Sequence, residues 1–321
     1  VGGMMNFYNE SVLITGGAGF IGCNLVYKLL NTEVKQIYVI DDLSSGNKNF
    51  LPKSERVKFI HCDISNLEKY ECVFPKGVDY IFHLAAHFAN QNSVDYPLSD
   101  TKTNIIGTLN TLTIAKNLDI KKMIYASSSC VYGNSVHMCE TDNTYPIETP
   151  YAISKLTGEM YVNFFSNFYS IPAISVRLFN TYGPFEVFGK YRNVIPNFIE
   201  NALMNRPITI TGSGEETRDF TYVDDTLDLF FLISNSNFKK SGVYNAGTGS
   251  DVTIKYLAES VIDICESSSK IVYEERRSWD GVEKRVSDIN KSSVTFGYNP
   301  KTSLECGLEK TIAWYRRYIN E

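Results

Sequence analysis

Ser128, Tyr151 and Lys155 have the types and spacing for proton transfer at an alcohol. Tyr151 and Lys155 stand four positions apart, on one face of a helix. A free phenol, with a pKa of about 10, is a poor base at neutral pH. An ammonium group beside it favours the phenolate and brings it toward the working range. Ser128, at the end of a strand, can hydrogen-bond the same substrate oxygen. Such a group oxidises an alcohol only if something accepts the hydrogen on carbon.

A second constellation provides for that acceptor. Gly16-x-x-Gly19-x-x-Gly22 follows an apolar strand and opens a helix, the context in which a glycine triplet holds a dinucleotide. Gly16 allows the tight turn, Gly19 admits a pyrophosphate to the backbone, and Gly22 allows close helix–sheet packing. The free N–H groups and positive end of the helix then face the phosphates. Asp41 ends the second strand, where an acid hydrogen-bonds the adenosine ribose. A carboxylate there repels a 2′-phosphate, so NAD is expected over NADP. Asp41 or Asp42 can instead cap the following turn. Asp63, after the third strand, either accepts from the adenine amine or caps its own turn. The positive nicotinamide ring would further favour the Tyr151 phenolate.

The elements that must position these residues are legible as apolar runs. Strands are predicted at 12–15, 37–40, 57–62, 80–84, 123–127 and 173–176, with helices at 20–30, 105–117 and 151–168. Apolar runs without alternation indicate strands covered on both faces, hence a parallel sheet. The order is that of a doubly wound α/β fold. Further on, helices are predicted at 194–204, 223–233, 254–265 and 304–318, with short strands at 208–211 and 270–273. We expect a Rossmann nucleotide domain over 4–178, with 219–247 returning to it. A smaller, interleaved α/β substrate domain is expected mainly over 179–321. Val1-Gly2-Gly3 ahead of Met4 reads as a cloning remnant.

Composition narrows the class. The 321 residues are 43% hydrophobic and 21% charged, an ordinary globular balance. The net charge of −5, with no Lys/Arg block, speaks against a nucleic-acid partner. The seven cysteines are scattered without a Cys-x-x-Cys pair, so neither a metal site nor a disulfide framework is expected. No stretch reads as a membrane span or secretory signal, and a cytoplasmic location is the expectation. The helices at 105–117 and 151–168 carry apolar positions on more than one face.

The ordered motifs resemble one family. They are Thr15-Gly-Gly-Ala-Gly-Phe-Ile-Gly22, His83-Leu-Ala-Ala86, Asn104-Ile-Ile-Gly107-Thr108, Ser127-Ser-Ser-Cys-Val-Tyr-Gly133, Tyr151-x-x-x-Lys155, Arg177-Leu-Phe-Asn-Thr-Tyr-Gly-Pro184 and Arg218-Asp-Phe-Thr-Tyr-Val-Asp-Asp225. Over nearly everything after Glu10 the chain is similar to extended short-chain dehydrogenase/reductases of the NAD-dependent nucleotide-sugar epimerase/dehydratase family. The resemblance implies bound NAD, transient oxidation of a sugar hydroxyl to a ketone, and a nucleoside-diphosphate handle, UDP being the commonest. It implies a cofactor wall of Gly16, Gly19, Phe20, Ile21, Gly22, Asp41, Asp42, Ser45, Gly46, Asp63, Ile64, Leu84, Ala85, Ala86 and Asn104, beside Tyr151 and Lys155. Substrate contacts carried over by position are Asn180, Asn193, Val194, Arg218, Arg277 and Asp280, with Arg218 pairing a phosphate. Arg177 and the loop 186–193 would shape sugar choice. Phe179 and Tyr222 read as core or pocket wall, and His83 and His87 as structural. Relatives pair the helices at 105–117 and 151–168 in a four-helix bundle, which implies a homodimer.

The resemblance also bears on the reaction. Dehydratases of the family carry an Asp-Glu pair directly after the serine, where this chain has Ser129 and Cys130. Ser128, Tyr151 and Lys155 suffice for a 4-epimerase, in which a transient 4-keto sugar turns in the pocket before it is reduced on its other face. Cys130 is a candidate catalytic residue for C5 epimerisation of a keto-sugar, although the partner acid's position holds Asn193. Its other reading is a small space-filling side chain. A 4-epimerase acting on a UDP-hexose or UDP-N-acetylhexosamine is therefore the leading expectation. A C5 epimerase or a dehydratase-type enzyme using Cys130 is the alternative. A catalytically silent NAD-binding protein is a more distant one.

Overall fold

The computed structural model describes residues 7–135, 138–142, 144, 146–238, 241–277 and 280–320, so the 1–3 remnant lies outside the described residues. The strands are β1 (Ser11–Thr15), β2 (Gln36–Asp41), β3 (Val57–His61), β4 (Tyr80–His83), β5 (Lys122–Ser128), β6 (Ala173–Leu178), β7 (Ile208–Thr211), β8 (Thr217–Arg218), β9 (Val243–Ala246), β10 (Val252–Thr253), β11 (Ile271–Glu274) and β12 (Lys284–Arg285). Seven of them form one parallel sheet in the order β3-β2-β1-β4-β5-β6-β9. The order reverses between β1 and β4, the place where doubly wound sheets take ligands beyond their strand ends. Two small sheets, β10-β8-β12 and β11-β7, belong to the C-terminal half.

Both faces of the large sheet are covered, which is why its strands read as unbroken apolar runs. In β1, Val12 and Ile14 enter one core while Leu13 enters the other. In β5, Ile124 faces the first core, and Met123 and Tyr125 the second. The first core continues without a break into Ile195, Phe198, Leu257 and Leu308 of the later helices. No hinge of thin contacts separates the halves.

The helix Pro150–Tyr169 carries the Tyr-Lys pair. Thr149 starts it by accepting from the Ala152 N–H at 3.3 Å, Pro150 occupies the first turn, and Ser170 ends it in the left-handed conformation. It lies hard against β5: a Cβ on Gly158 would fall 2.1 Å from the Tyr125 hydroxyl. The Tyr125 hydroxyl donates to the Lys155 carbonyl at 3.3 Å. One turn further, Glu159 accepts from Arg177 on β6 through Nε at 2.9 Å and Nη2 at 2.8 Å, and also from Ser127. Helix, β5 and β6 are thus clamped in one register.

The helix expected over 105–117 differs. It runs Pro97–Asp100, widens into a π-helical stretch at Thr101–Ile106, and continues as Gly107–Ala115. The side chain of Asn104 in the widened part bridges three neighbouring segments, and π-turns of this kind gather near functional sites. Short helices at Leu67–Val73, Asn90–Asp95 and Asn290–Phe296 carried too little periodicity to be read from the sequence.

Removing one partner of a buried, hydrogen-bonded ion pair leaves the other charge without solvent. Arg177 and Glu159 are both almost wholly buried. Glu159→Ala is expected to cost about 3–5 kcal/mol, read as a lower urea midpoint at unchanged slope. A loss below about 1 kcal/mol would show that the clamp does not hold the helix.

Candidate active site

One cavity of about 490 Å³ opens along the carboxyl ends of the large sheet. It runs from the Gly16–Gly22 turn, past Ser128, Cys130, Tyr151 and Lys155, to Arg218, Arg277, Asp280 and Arg285. Asn180, Asn193 and Val194 line it between.

The glycine turn is shaped to admit a backbone-hugging phosphate group. Gly16 has φ +69°, and a Cβ there would fall 2.6 Å from the Ala85 nitrogen, so no side chain fits. Gly19 stands before the helix Phe20–Leu30, whose first turn carries no acidic residue and whose N-cap position makes no side-chain bond. Its N–H groups therefore remain for a ligand. Phe20, Ile21 and Gly22 line the cavity, as do Ser45, Ile64, Leu84, Ala85 and Ala86.

Asp41 is buried and binds the turn itself, accepting from Ala18 N–H at 3.0 Å and Leu43 N–H at 2.8 Å. Burial raises its carboxyl above the ordinary range despite those bonds. Asp42 caps its own turn through Ser44 N–H at 2.9 Å. Asp63 caps Ser65 and pairs with Lys102 at 3.1 Å, which holds it below its usual value. All three also line the cavity, so the capping and ligand readings coexist.

Two residues expected at the cofactor wall make contacts within the protein in this structure. Asn104 lies behind the wall, 1% exposed: its amide donates to Asp100 at 2.7 Å and Ser154 at 3.1 Å and accepts from His87 N–H at 2.7 Å. Every polar atom is engaged within the protein, so it is a brace. Gly46 packs closely on Asp41 and Ala18, beside the cavity-lining Ser45. Arg177, expected to shape sugar choice, is held by Glu159 away from the wall. His83 sits between Thr15 and Thr108 at 2.7 and 2.9 Å, pushed down to about 3 by burial, a neutral structural residue. Phe179 and Tyr222 are core.

At the reactive wall, Ser128 ends β5 and its hydroxyl accepts from the Cys130 N–H at 3.2 Å. Lys155 donates to the Ala126 carbonyl at 2.8 Å, and burial lowers it to about 8. Within the protein alone, burial raises the Tyr151 phenol, Cys130 adds to the rise, and only the bond with Ser128 opposes. Cys130 differs from an inert filler. Arg285 Nη1 stands 3.2 Å from its sulfur and Asn90 Nδ2 3.6 Å, and together with Ser128 they hold its thiol below the usual value against burial.

The far end is cationic. Arg218 donates to the Thr217 carbonyl at 2.9 Å and meets Asp280 at 3.4 Å. Arg277 lines the wall beside it, and residues 278 and 279 lie outside the described residues. Asn180, in a left-handed conformation (φ +33°), donates to the Asp219 carbonyl at 2.8 Å. Asn193 donates to Glu186 at 2.9 Å.

Sequence reasoning missed Asn90 and Arg285. Arg192 reaches the Ser45 carbonyl at 3.0 Å and Tyr191 reaches Asp95 at 2.8 Å, so the loop 186–193 is tied to both sides of the cavity. Glu283-Lys284-Arg285 reads as a solvated charge run. Pairing of β12 with β8 places Lys284 outward and turns Arg285 in. Among the described residues no cluster of His, Cys, Asp or Glu is arranged to hold a metal, and no helix is long and apolar enough to cross a membrane.

Glu186 is 2% exposed, one carboxyl oxygen has no partner, and burial lifts it from 4.5 to about 8 although Arg192 opposes. Between those values the folded protein retains a proton that the unfolded chain releases, so stability falls as pH rises. Glu186→Gln removes that loss. The melting temperature of the variant should pull ahead of wild type as pH rises from about 4.5 and level off above about 8. A difference independent of pH would show that Glu186 is not held protonated.

Residues 12–247 match the NAD-dependent epimerase/dehydratase family. A putative UDP-glucose 4-epimerase of Methanocaldococcus jannaschii is 32% identical over 95% of this chain and 98% of its own. An epimerase of Methanothermobacter thermautotrophicus superposes with a TM-score of 0.95 at 38% identity, covering 98% of this chain and 94% of the other. The UDP-glucose 4-epimerase of Thermotoga maritima, solved with UDP-glucose, gives 0.90 at 34% identity over 97% and 100%. Fold, motifs and relatives agree: the chain belongs to the NAD-dependent epimerase/dehydratase family.

Proposed function

We propose that this protein is a UDP-hexose or UDP-N-acetylhexosamine 4-epimerase. The observation that carries the reading is the single cavity joining an anion-receptive glycine turn, a Ser-Tyr-Lys wall and an arginine-lined end. The Gly16–Gly22 turn and Asp41 would hold NAD. When bound, NAD supplies the reversible two-electron oxidation of the C4 carbinol.

The remaining steps belong to the protein. Tyr151 takes the proton from the 4-hydroxyl, and Ser128 hydrogen-bonds the same oxygen. Lys155, lowered to about 8 by burial and aligned by Ala126, has its Nζ 5.8 Å from the Tyr151 ring centroid, where an ammonium and the positive nicotinamide ring would favour the phenolate that takes this proton. Arg218 and Arg277 hold the diphosphate while the 4-keto sugar turns, and Tyr151 returns the proton to the other epimer. Enolisation at C5 needs an acid facing Cys130. The groups on its sulfur, Asn90 and Arg285, offer none, which favours the 4-epimerase. The unpaired cysteines support a reducing, cytoplasmic setting.

We also propose a homodimer. Ile153, Met160, Phe164 and Phe168 form an exposed stripe along the helix Pro150–Tyr169, Phe168 being 69% exposed, and Leu98 of the helix Pro97–Asp100 is 85% exposed. A monomer seldom leaves such a face in water. Met160→Glu with Phe164→Glu should yield folded monomers by sedimentation, whereas a wild-type monomer at micromolar concentration would refute the pairing.

For the chemistry, Tyr151→Phe should lower kcat by about 10²- to 10⁴-fold while NAD stays bound. In deuterated water, wild type should invert C4 without taking up label. Deuterium at C5 would overturn the C4 route.

A further inference from the structure

Arg285 is a cation in the cavity wall without an acidic partner. Two neighbouring arginines, by contrast, each pair with a carboxylate: Arg177 with Glu159 at 2.8 Å and Arg218 with Asp280 at 3.4 Å. Among the described residues no carboxylate lies within 4 Å of Arg285, and its buried Nε has no hydrogen-bond partner. A guanidinium so placed is costly unless something anionic meets it.

Its position says which part of a ligand it meets. Nη1 is 3.2 Å from the Cys130 sulfur, and the Cys130 N–H is bonded to the Ser128 hydroxyl. Arg285 stands opposite Arg218 in the β12–β8 pair but turns its guanidinium to Cys130, one side chain from Ser128. Arg218, whose charge Arg285 disfavours, is anchored by the Thr217 carbonyl and Asp280 and serves the diphosphate side.

Resting on the 4-epimerase reading but departing from its neutral sugars, we propose that the sugar bears a carboxylate which Arg285 receives, so that a nucleoside-diphosphate hexuronate is preferred over the hexose and the N-acetylhexosamine. C5, which carries the C6 carboxylate, adjoins the reacting C4. A carboxylate takes a guanidinium through two parallel hydrogen bonds and supplies the missing negative charge. A hexose offers only a neutral hydroxymethyl group there and leaves Arg285 unmatched. Cys130, small and polarisable, would cede the guanidinium to the ligand. Arg285 is thus a specificity residue; the proton chemistry stays with Tyr151.

The test uses NAD-loaded protein with UDP-glucuronate, UDP-galacturonate, UDP-glucose and UDP-N-acetylglucosamine. Wild type should favour the uronates by at least about tenfold in kcat/KM. Arg285→Gln should lower the uronate-to-hexose ratio by about 30-fold or more, since an unpaired buried polar group discriminates strongly. Cys130→Ser should keep the preference. Calorimetric binding of UDP-glucuronate, UDP-glucose and UDP reads Arg285 without turnover: only the uronate should weaken in Arg285→Gln. Equal use of both sugar classes by wild type would overturn the proposal. So would a variant that weakens all three ligands alike, which would place Arg285 on the diphosphate. If no sugar is turned over but the uronate still binds through Arg285, the epimerase reading fails and the carboxylate site stands.

Discussion

The closeness with which the helix Pro150–Tyr169 lies on β5 governs the rest of the molecule. Gly158 has no room for a methyl group against Tyr125, and the helix backbone is tied to β5 by the Tyr125 hydroxyl. Lys155 reaches the Ala126 carbonyl only at this separation. The Glu159–Arg177–Ser127 cluster then locks the register against sliding along the strand. Ser128 comes from a strand end and Tyr151 from a helix start, so their meeting is a packing result. A turn of slippage would move the phenol by about 5 Å.

That packing also sets the electrostatics. Placing a phenol, an ammonium, a thiol and a guanidinium in one dry wall makes each group's proton depend on the others. Burial favours the neutral form of both Tyr151 and Lys155. A cation entering beside Tyr151, such as a nicotinamide ring, would shift its phenol back toward phenolate. Its charge state responds to what enters the cavity, an arrangement suited to a proton that must leave the substrate and return.

The long parallel strands and the glycine turn were legible because both follow from local chemistry: two-sided burial gives unbroken apolar runs, and only glycine tolerates the turn at Gly16. Ser128, Tyr151 and Lys155 stand out in the sequence for the same reason, as residue types with one obvious joint use. The bonds of Asn104 were not legible, because a motif position does not reveal which way an amide points, and here it points to Asp100 and Ser154. Arg285 was invisible because Glu283-Lys284-Arg285 has the composition of a wet surface; its direction is fixed by a two-residue strand paired with residues far away. Glu186 and Arg192 belong to a loop whose ties to Ser45 and to helices of both halves exist only after folding.

β9 has a consequence for how the chain can be divided. It lies outside the run of nucleotide-binding motifs, yet it is hydrogen-bonded along β6 as the last strand of the large sheet. A fragment ending at Leu178 would leave β6 as a bare rim, with the amides and carbonyls of a buried strand facing water and other chains. Severing the halves would thus yield a sticky open sheet, not an autonomous nucleotide module. Domain shuffling at that boundary is closed to this architecture, and variation in specificity must enter through loops and single side chains set on an undivided frame.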